Sequence, residues 1–123
     1  RTFSKAYAMA GARIGYGIGP AELIAGFDRI RNHFGINRIA QAGALAALAD
    51  QGWLTHIRAE VAAARTRIAD IAGENGLTAL PSATNFVAID CGRDGAYARA
   101  VLDGLAGQGI FARMPGTAPM DRC

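Results

Sequence analysis

The chain opens with RTFSKAYAMAGARIGY (residues 1–16), and this stretch decides how the remaining residues are interpreted. It contains Lys5, the only lysine among the 13 lysine and arginine residues of the chain. A guanidinium group stays protonated in proteins, whereas the ε-amine of lysine can lose its proton and attack an aldehyde. Because arginine supplies every other basic side chain, we interpret Lys5 as a residue kept for its amine.

Size and composition exclude several classes of protein. The chain has 123 residues, of which 51% are hydrophobic and 19% are charged, as is typical of a globular protein. Its net charge of +3 comes from scattered basic residues, so a nucleic-acid partner is not indicated. The longest run of small apolar residues, 40–49, is too short to cross a bilayer, and no signal-peptide pattern opens the chain. The two cysteines, Cys91 and Cys123, form neither a metal-binding spacing nor a disulfide framework. We therefore expect a cytoplasmic protein without a membrane or nucleic-acid partner.

Both ends of the chain are unusual. It begins at Arg1, inside the lysine motif and without an initiator methionine, and it ends at Cys123 after the turn-rich residues 115–119. We expect a fragment that lacks part of its active site and is inactive by itself.

Hydrophobic periodicity and helix-capping residues predict four helices and, counting both members of a strand pair after Gly76, four strands. The predicted helices cover residues 20–32, residues 37–50 with Asn37 as N-cap, a long helix from Trp53 to about Gly73, and residues 95–108. Residues 13–19, 85–91 and 110–113 read as strands, and Gly73 to Gly76 as the joint into a strand pair. Gly52 is expected to end the second helix, and a domain boundary is placed near residues 51–53. The order of elements after that boundary is typical of an α/β unit.

Residues 1–16 resemble the lysine signature of fold-type I pyridoxal-phosphate enzymes, most closely the class I and II aminotransferases and, within them, the histidinol-phosphate aminotransferase group. The resemblance continues through NRIAQA (residues 37–42) and PSATNF (residues 81–86). It implies the α/β fold of that enzyme class. Residues 1–51 would end the large cofactor-binding domain, and residues 52–123 would form most of the small C-terminal domain. It also implies a homodimer with active sites at the subunit interface.

The same resemblance implies roles for individual residues. Lys5 would form a Schiff base with pyridoxal 5'-phosphate and, once substrate displaces it, would shuttle a proton. Thr2, Ser4 and Arg13 would bind the cofactor, with the planar guanidinium of Arg13 suited to its phosphate. Arg113 matches a position that faces the anionic end of the substrate, although a surface arginine fits that position equally well. The reaction would move an amino group from an amino acid or related amine, such as histidinol phosphate or an aromatic amino acid, to a 2-oxo acid.

Some features of the family are changed or lie elsewhere. The family usually has glycine at the position of Ala8. Its residues that contact the cofactor ring precede the lysine and would lie before Arg1. Its arginine for the substrate carboxylate is expected beyond Cys123, and Arg122 lies too early in the sequence to be given that role.

Three alternatives remain open. The first is a pyridoxal-phosphate-dependent decarboxylase on the same fold, which substrate contacts beyond Cys123 would distinguish. The second is a transcriptional regulator that senses the cofactor through an aminotransferase-like domain and carries a DNA-binding region before Arg1. The third is a non-catalytic helical interaction module, for which the lysine motif would be a coincidence.

Overall fold

The computed structural model describes all residues from 1 to 123 and divides them into two units, Arg1–Glu60 and Val61–Cys123. The four helices are α1 (Ala21–Asp28), α2 (Arg38–Ala49), α3 (Gln51–Glu74) and α4 (Gly95–Gly107), and the two short strands are β1 (Thr78–Ala79) and β2 (Ile89–Asp90). Single 3₁₀ turns cover Ala10–Ala12 and Met120–Arg122. The division between the units falls inside α3. The domain boundary expected near residues 51–53 stays a prediction.

Residues 1–16, called here the lysine segment, fold back on themselves in the first unit. Thr2 forms an antiparallel bridge with Gly15. The Phe3 N–H donates to the Ile14 carbonyl at 3.2 Å, and the Tyr16 N–H donates to the Arg1 carbonyl at 2.8 Å. The strand predicted over residues 13–19 is wrong beyond this bridge, because residues 17–19 have no backbone partner.

Phe3 is the buried residue of the lysine segment, with 2% of its surface exposed. Its ring lies 4.9 Å from that of Tyr7 and 5.9 Å from that of Tyr16, measured between centroids. These tilted contacts are a favourable arrangement for aromatic pairs. Tyr7 and Tyr16 therefore both pack against the buried ring of Phe3.

Two helices of the first unit follow local signals. α1 ends at Asp28, earlier than the predicted residue 32, and the Asn32 side chain accepts a hydrogen bond from the Phe34 N–H in the turn that follows. α2 begins after Asn37, whose side chain accepts a hydrogen bond from the Ala40 N–H at 2.7 Å. The predicted N-cap is therefore confirmed.

The junction between α2 and α3 lies at Asp50, so the predicted end at Gly52 is wrong. Asp50 leaves the helical conformation, with ψ at 74°, and its carboxylate accepts a hydrogen bond from the Trp53 N–H at 2.9 Å. Aspartate is among the best N-capping residues, whereas glycine is only tolerated inside a helix. The long helix therefore begins at Gln51 and includes Gly52.

In the second unit β1 and β2 pair antiparallel, with Thr78 opposite Asp90 and Ala79 opposite Ile89. The strand predicted over residues 85–91 is shorter because the Phe86 carbonyl accepts hydrogen bonds from the hydroxyls of Ser82 and Thr84. The strand predicted over residues 110–113 is wrong, since that segment has no neighbouring strand.

α4 follows its prediction closely. It begins after Asp94, whose carboxylate accepts a hydrogen bond from the Tyr97 N–H at 3.0 Å, and it buries Ala98. None of the four helices combines the length and hydropathy that a bilayer crossing requires.

The pairing of the lysine segment predicts opposite behaviour for two neighbouring glycines. A Cβ at Gly15 would lie 2.5 Å from the Arg1 carbonyl oxygen, whereas a Cβ at Gly17 would meet no atom within 4 Å. We expect Gly15→Ala to lower the free energy of unfolding by about 1–3 kcal/mol, the usual cost of overpacking. Gly17→Ala should change it by less than about 0.5 kcal/mol. Urea unfolding of the full-length protein measures both, and equal midpoints would contradict the pairing.

Candidate functional site

Lys5 lies in a tight loop of residues 4–9, called here the lysine loop. The Ala8 N–H donates to the Lys5 carbonyl at 2.9 Å, and the Met9 N–H donates to the Phe3 carbonyl at 3.0 Å. The Lys5 side chain is exposed and makes no hydrogen bond or ion pair. The loop therefore fixes the backbone of Lys5 and leaves its amine without a hydrogen-bond partner.

Thr2 and Ser4, the two hydroxyl residues that precede Lys5, hydrogen-bond to each other. The Thr2 hydroxyl donates to Ser4 Oγ at 2.9 Å and accepts a hydrogen bond from the Ser4 N–H at 3.1 Å. Hydroxyl hydrogens rotate to suit the available acceptor, so both groups can turn toward an anion. The two side chains form a small cluster of hydroxyl groups in the residues just before Lys5.

Arg13 follows the 3₁₀ turn in a left-handed conformation, with φ at 51°. Its Nη1 donates to the Ala10 carbonyl at 2.7 Å. This bond uses one of the five N–H donors of the guanidinium. The neighbouring Ile14 carbonyl accepts from the Phe3 N–H. The backbone therefore places Arg13 at the edge of the paired segment that also carries Thr2.

Ala8 has a φ of 55°, in the left-handed region that favours glycine. This explains in physical terms why the family has glycine at this position. An L-amino acid with a Cβ pays a steric cost of about 1–2 kcal/mol in this conformation. The loop that carries Lys5 is therefore strained at Ala8.

The two arginines of the second unit differ in their surroundings. Arg113 is exposed and makes no hydrogen bond or ion pair, and its predicted contact with substrate stays a prediction. Arg122 forms a two-point ion pair with Asp90, from Nε to Oδ1 and from Nη2 to Oδ2, both at 2.8 Å. Because its guanidinium is already engaged by a carboxylate, Arg122 serves to join the end of the chain to β2.

The ion pair changes the acidity of both partners. The hydrogen bonds from Arg122, followed by the one from the Gly92 N–H, lower the pKa of Asp90 below its ordinary value. The hydrogen bond to Asp90 raises the pKa of Arg122. Burial raises the pKa of the Cys91 thiol, which lies beside this pair. Sequence reasoning missed the pair because its members are far apart along the chain.

Trp53 is the other residue that sequence reasoning missed. Its indole Nε1–H donates to the Ala6 carbonyl at 3.3 Å, across 47 positions of sequence. The only available signal was that the chain has a single tryptophan, near the start of a predicted helix. A contact of this kind depends on tertiary packing and has no local sequence pattern.

The donor set of the first unit fits a ligand that carries both a phosphate and an aldehyde. Hydroxyls and a guanidinium are the groups that bind phosphate in proteins, and a free lysine amine condenses with an aldehyde. Thr2, Ser4, Lys5 and Arg13 supply all of these groups within one folded segment. No group of three or more His, Cys, Asp or Glu side chains is placed to hold a metal ion.

Comparison with known proteins agrees with this donor set. The family model for aminotransferase class I and II matches residues 1–119. The chain belongs to this family. The predicted resemblance is thereby confirmed.

Curated relatives lie in the same family. A histidinol-phosphate aminotransferase of Mesorhizobium japonicum is 42% identical over 114 residues, covering 92% of this chain and 30% of that protein. One from Cupriavidus pinatubonensis is 38% identical over 122 residues, covering 99% of this chain and 32% of that protein. The chain therefore spans about a third of the length of the curated relatives it matches.

A solved structure gives the fold. The crystal structure of histidinol-phosphate aminotransferase from Sinorhizobium meliloti in complex with pyridoxal-5'-phosphate superposes on all of this chain with a TM-score of 0.96 at 57% sequence identity. The chain covers 34% of that protein. The predicted fold class, that of the fold-type I pyridoxal-phosphate-dependent transferases, is confirmed.

The left-handed conformation of Ala8 predicts that Ala8→Gly stabilises the protein. Relief of the steric cost outweighs the extra freedom of glycine in the unfolded chain, so the free energy of unfolding should rise by about 0.5–1 kcal/mol. Ala10→Gly is the matched control, because Ala10 lies in the 3₁₀ turn without a positive φ. This variant should lower the free energy of unfolding by about 0.5–1 kcal/mol. Urea unfolding compares the two variants, and a destabilised Ala8→Gly would contradict the strain.

The ion pair predicts a pH dependence of stability. The pKa of Asp90 is lower in the folded state than in the unfolded chain, so its contribution is present above the unfolded pKa and is lost as pH falls through the folded pKa. Asp90→Asn should therefore destabilise the protein at about pH 7 and have a smaller effect at about pH 3. Asp103→Asn on the exposed face of α4, where no ion pair is present, is the control. An Asp90→Asn effect that stays constant with pH would show that the charge is unimportant.

Proposed function

We propose that the full-length protein is a pyridoxal-phosphate-dependent aminotransferase that moves an amino group from an amino acid or related amine to a 2-oxo acid. The observation that carries this proposal is that Lys5, with an amine free of hydrogen bonds, shares one folded segment with the hydroxyl pair of Thr2 and Ser4 and with Arg13. The relatives named histidinol-phosphate aminotransferase support histidinol phosphate as the amino donor.

Different residues of the lysine segment would bind different groups of the cofactor. Lys5 would bond to its aldehyde, while Thr2, Ser4 and Arg13 would bind its phosphate. Hydrogen bonds from a guanidinium to a phosphate are charge-assisted and are stronger than bonds between neutral groups. When bound, the cofactor supplies a ring that withdraws electrons from the substrate's Cα. Lys5 Nζ, once displaced by substrate, would then take the proton from that carbon as a general base.

Arg113 suits a role in substrate binding. Its guanidinium is exposed and free of partners, so all five of its N–H donors are available to an anion. Arg122 is engaged by Asp90 and lacks that freedom. If histidinol phosphate is the donor, Arg113 is the arginine of this chain that we assign to its phosphate.

The remaining parts of the proposal concern the whole protein. Its substrates would be an amino acid or related amine and a 2-oxo acid, and it would act as a cytoplasmic homodimer. Residues 1–51 would belong to the large cofactor-binding domain and residues 52–123 to the small domain. The identity of 38–42% to proteins named as aminotransferases supports transamination over decarboxylation on the same fold.

The proposal is tested by locating the cofactor in the full-length protein. We would incubate the protein with pyridoxal phosphate, reduce the lysine–cofactor linkage with borohydride, and map the modified peptide by mass spectrometry. The expected result is a single modified lysine at Lys5, because its amine is exposed and free of other contacts.

Lys5→Arg is the matched control, since it keeps the positive charge and removes the primary amine. This variant should carry no cofactor on the lysine peptide and should not exchange an amino group between histidinol phosphate and a 2-oxo acid. An unmodified Lys5 in the wild-type protein, or full activity in Lys5→Arg, would overturn the proposed function.

A further inference from the structure

We propose that Trp53 is a positioning residue for Lys5, acting through a hydrogen bond from its indole to the Ala6 carbonyl. This inference rests on the proposed function and names a residue outside the lysine segment that the function depends on. Trp53 contacts the residue directly after Lys5 and makes no hydrogen bond to Lys5 itself.

The first observation concerns the origin of the hydrogen bonds in the lysine loop. The bonds to the Phe3 and Lys5 carbonyls come from Met9 and Ala8, within the loop's own segment. The bond from Trp53 to Ala6 is the one hydrogen bond that ties residues 1–16 to a later part of the chain. Trp53 is therefore the external hydrogen-bond anchor of the loop.

The second observation is that the backbone of Trp53 is held in a helix, while 43% of the residue's surface is exposed. Its backbone N–H donates to the Asp50 carboxylate at 2.9 Å, which places it in the capped first turn of α3. A side chain that projects from a capped helix starts from a better-defined position than one on a loop.

The third observation is the strain at Ala8, two residues after Ala6. A strained backbone keeps its conformation only when the surrounding structure holds it there. The Trp53 bond fixes the Ala6 carbonyl between Lys5 and this strained residue, and so limits rotation of the peptide units that direct the Lys5 side chain. Small errors in the placement of a reacting group reduce rates strongly, so this restraint affects how readily the amine meets an aldehyde.

The experiment uses the full-length protein with Trp53→Phe, which keeps an aromatic ring and removes the N–H donor. His56→Phe is the matched control, because it also replaces a ring with an N–H group on the same helix but removes no hydrogen bond. If Trp53→Phe does not fold, replacement of Trp53 by 3-benzothienylalanine removes the N–H group with nearly unchanged ring shape and takes its place.

Three quantities are measured for each protein. The first is hydrogen exchange of the amides of residues 6–9 without cofactor. The second is the rate at which pyridoxal phosphate becomes linked to Lys5. The third is the pH at the midpoint of the absorbance change of the lysine-linked cofactor. We expect Trp53→Phe to exchange faster in the loop, to form the linkage about three- to tenfold more slowly, and to shift the pH midpoint. His56→Phe should stay within about twofold of the wild type.

The outcomes separate this inference from the proposed function. If the wild type links the cofactor to Lys5, but Trp53→Phe matches it in linkage rate and pH midpoint, the positioning role is overturned even when the variant melts at a lower temperature. If the wild type itself forms no linkage at Lys5, the proposed function fails and the positioning role fails with it.

Discussion

The backbone pairing between residues 1–3 and residues 14–16 is the interaction on which the candidate site depends. Two hydrogen bonds, from Phe3 to Ile14 and from Tyr16 to Arg1, close the intervening residues into a loop. The pairing needs a residue without a Cβ at Gly15, which lies against the Arg1 carbonyl. This pairing folds residues 1–16 into one segment that carries the Lys5 amine, the hydroxyls of Thr2 and Ser4, and the Arg13 guanidinium.

The basic residues of this chain differ in how much of their hydrogen-bonding capacity the fold uses. Arg122 gives two donors to Asp90, and Arg65 gives one to the Thr84 carbonyl. Arg13 gives one to Ala10, whereas Lys5 gives none. An arginine paired with a carboxylate has to break that pair before it binds another anion, although for a pair as exposed as Arg122–Asp90 this cost is small. The fold thus engages Arg122 most fully and leaves the amine of Lys5 without a hydrogen bond.

Local signals in the sequence were sufficient for the helices but not for the strands. Asn37 caps α2 as predicted, and α4 begins at the predicted residue, just after the capping side chain of Asp94. Capping involves only a few neighbouring residues. The extended patterns at residues 13–19 and 110–113 formed no sheet, since a strand also needs a partner and no local pattern specifies one. At Asp50 two local signals competed, and the capping carboxylate prevailed over the following glycine.

At the candidate site, too, the sequence identified residues that lie in one short segment and missed contacts between distant residues. The lysine motif identified Lys5, Thr2, Ser4 and Arg13 because they lie close together in one short segment, although their cofactor contacts stay predictions. It did not identify Trp53, whose hydrogen bond to Ala6 exists only after the chain has folded. The pairing of Asp90 with Arg122 was missed for the same reason, since the two residues are 32 positions apart.

In residues 1–16 the strained backbone positions differ from the residue whose side chain is free of hydrogen bonds, and this separation suits the proposed chemistry. Ala8 and Arg13 both adopt left-handed conformations, on either side of the 3₁₀ turn, at a cost of about 1–2 kcal/mol each for an L-amino acid. The burial of Phe3 between two aromatic rings and the cross-segment hydrogen bonds act against that cost. The Lys5 amine has no hydrogen bond or ion pair to break before it binds a ligand, so the loop constrains only the backbone that carries it. A lysine that must bond to one molecule, release it and then move a proton needs such a fixed base and a free amine.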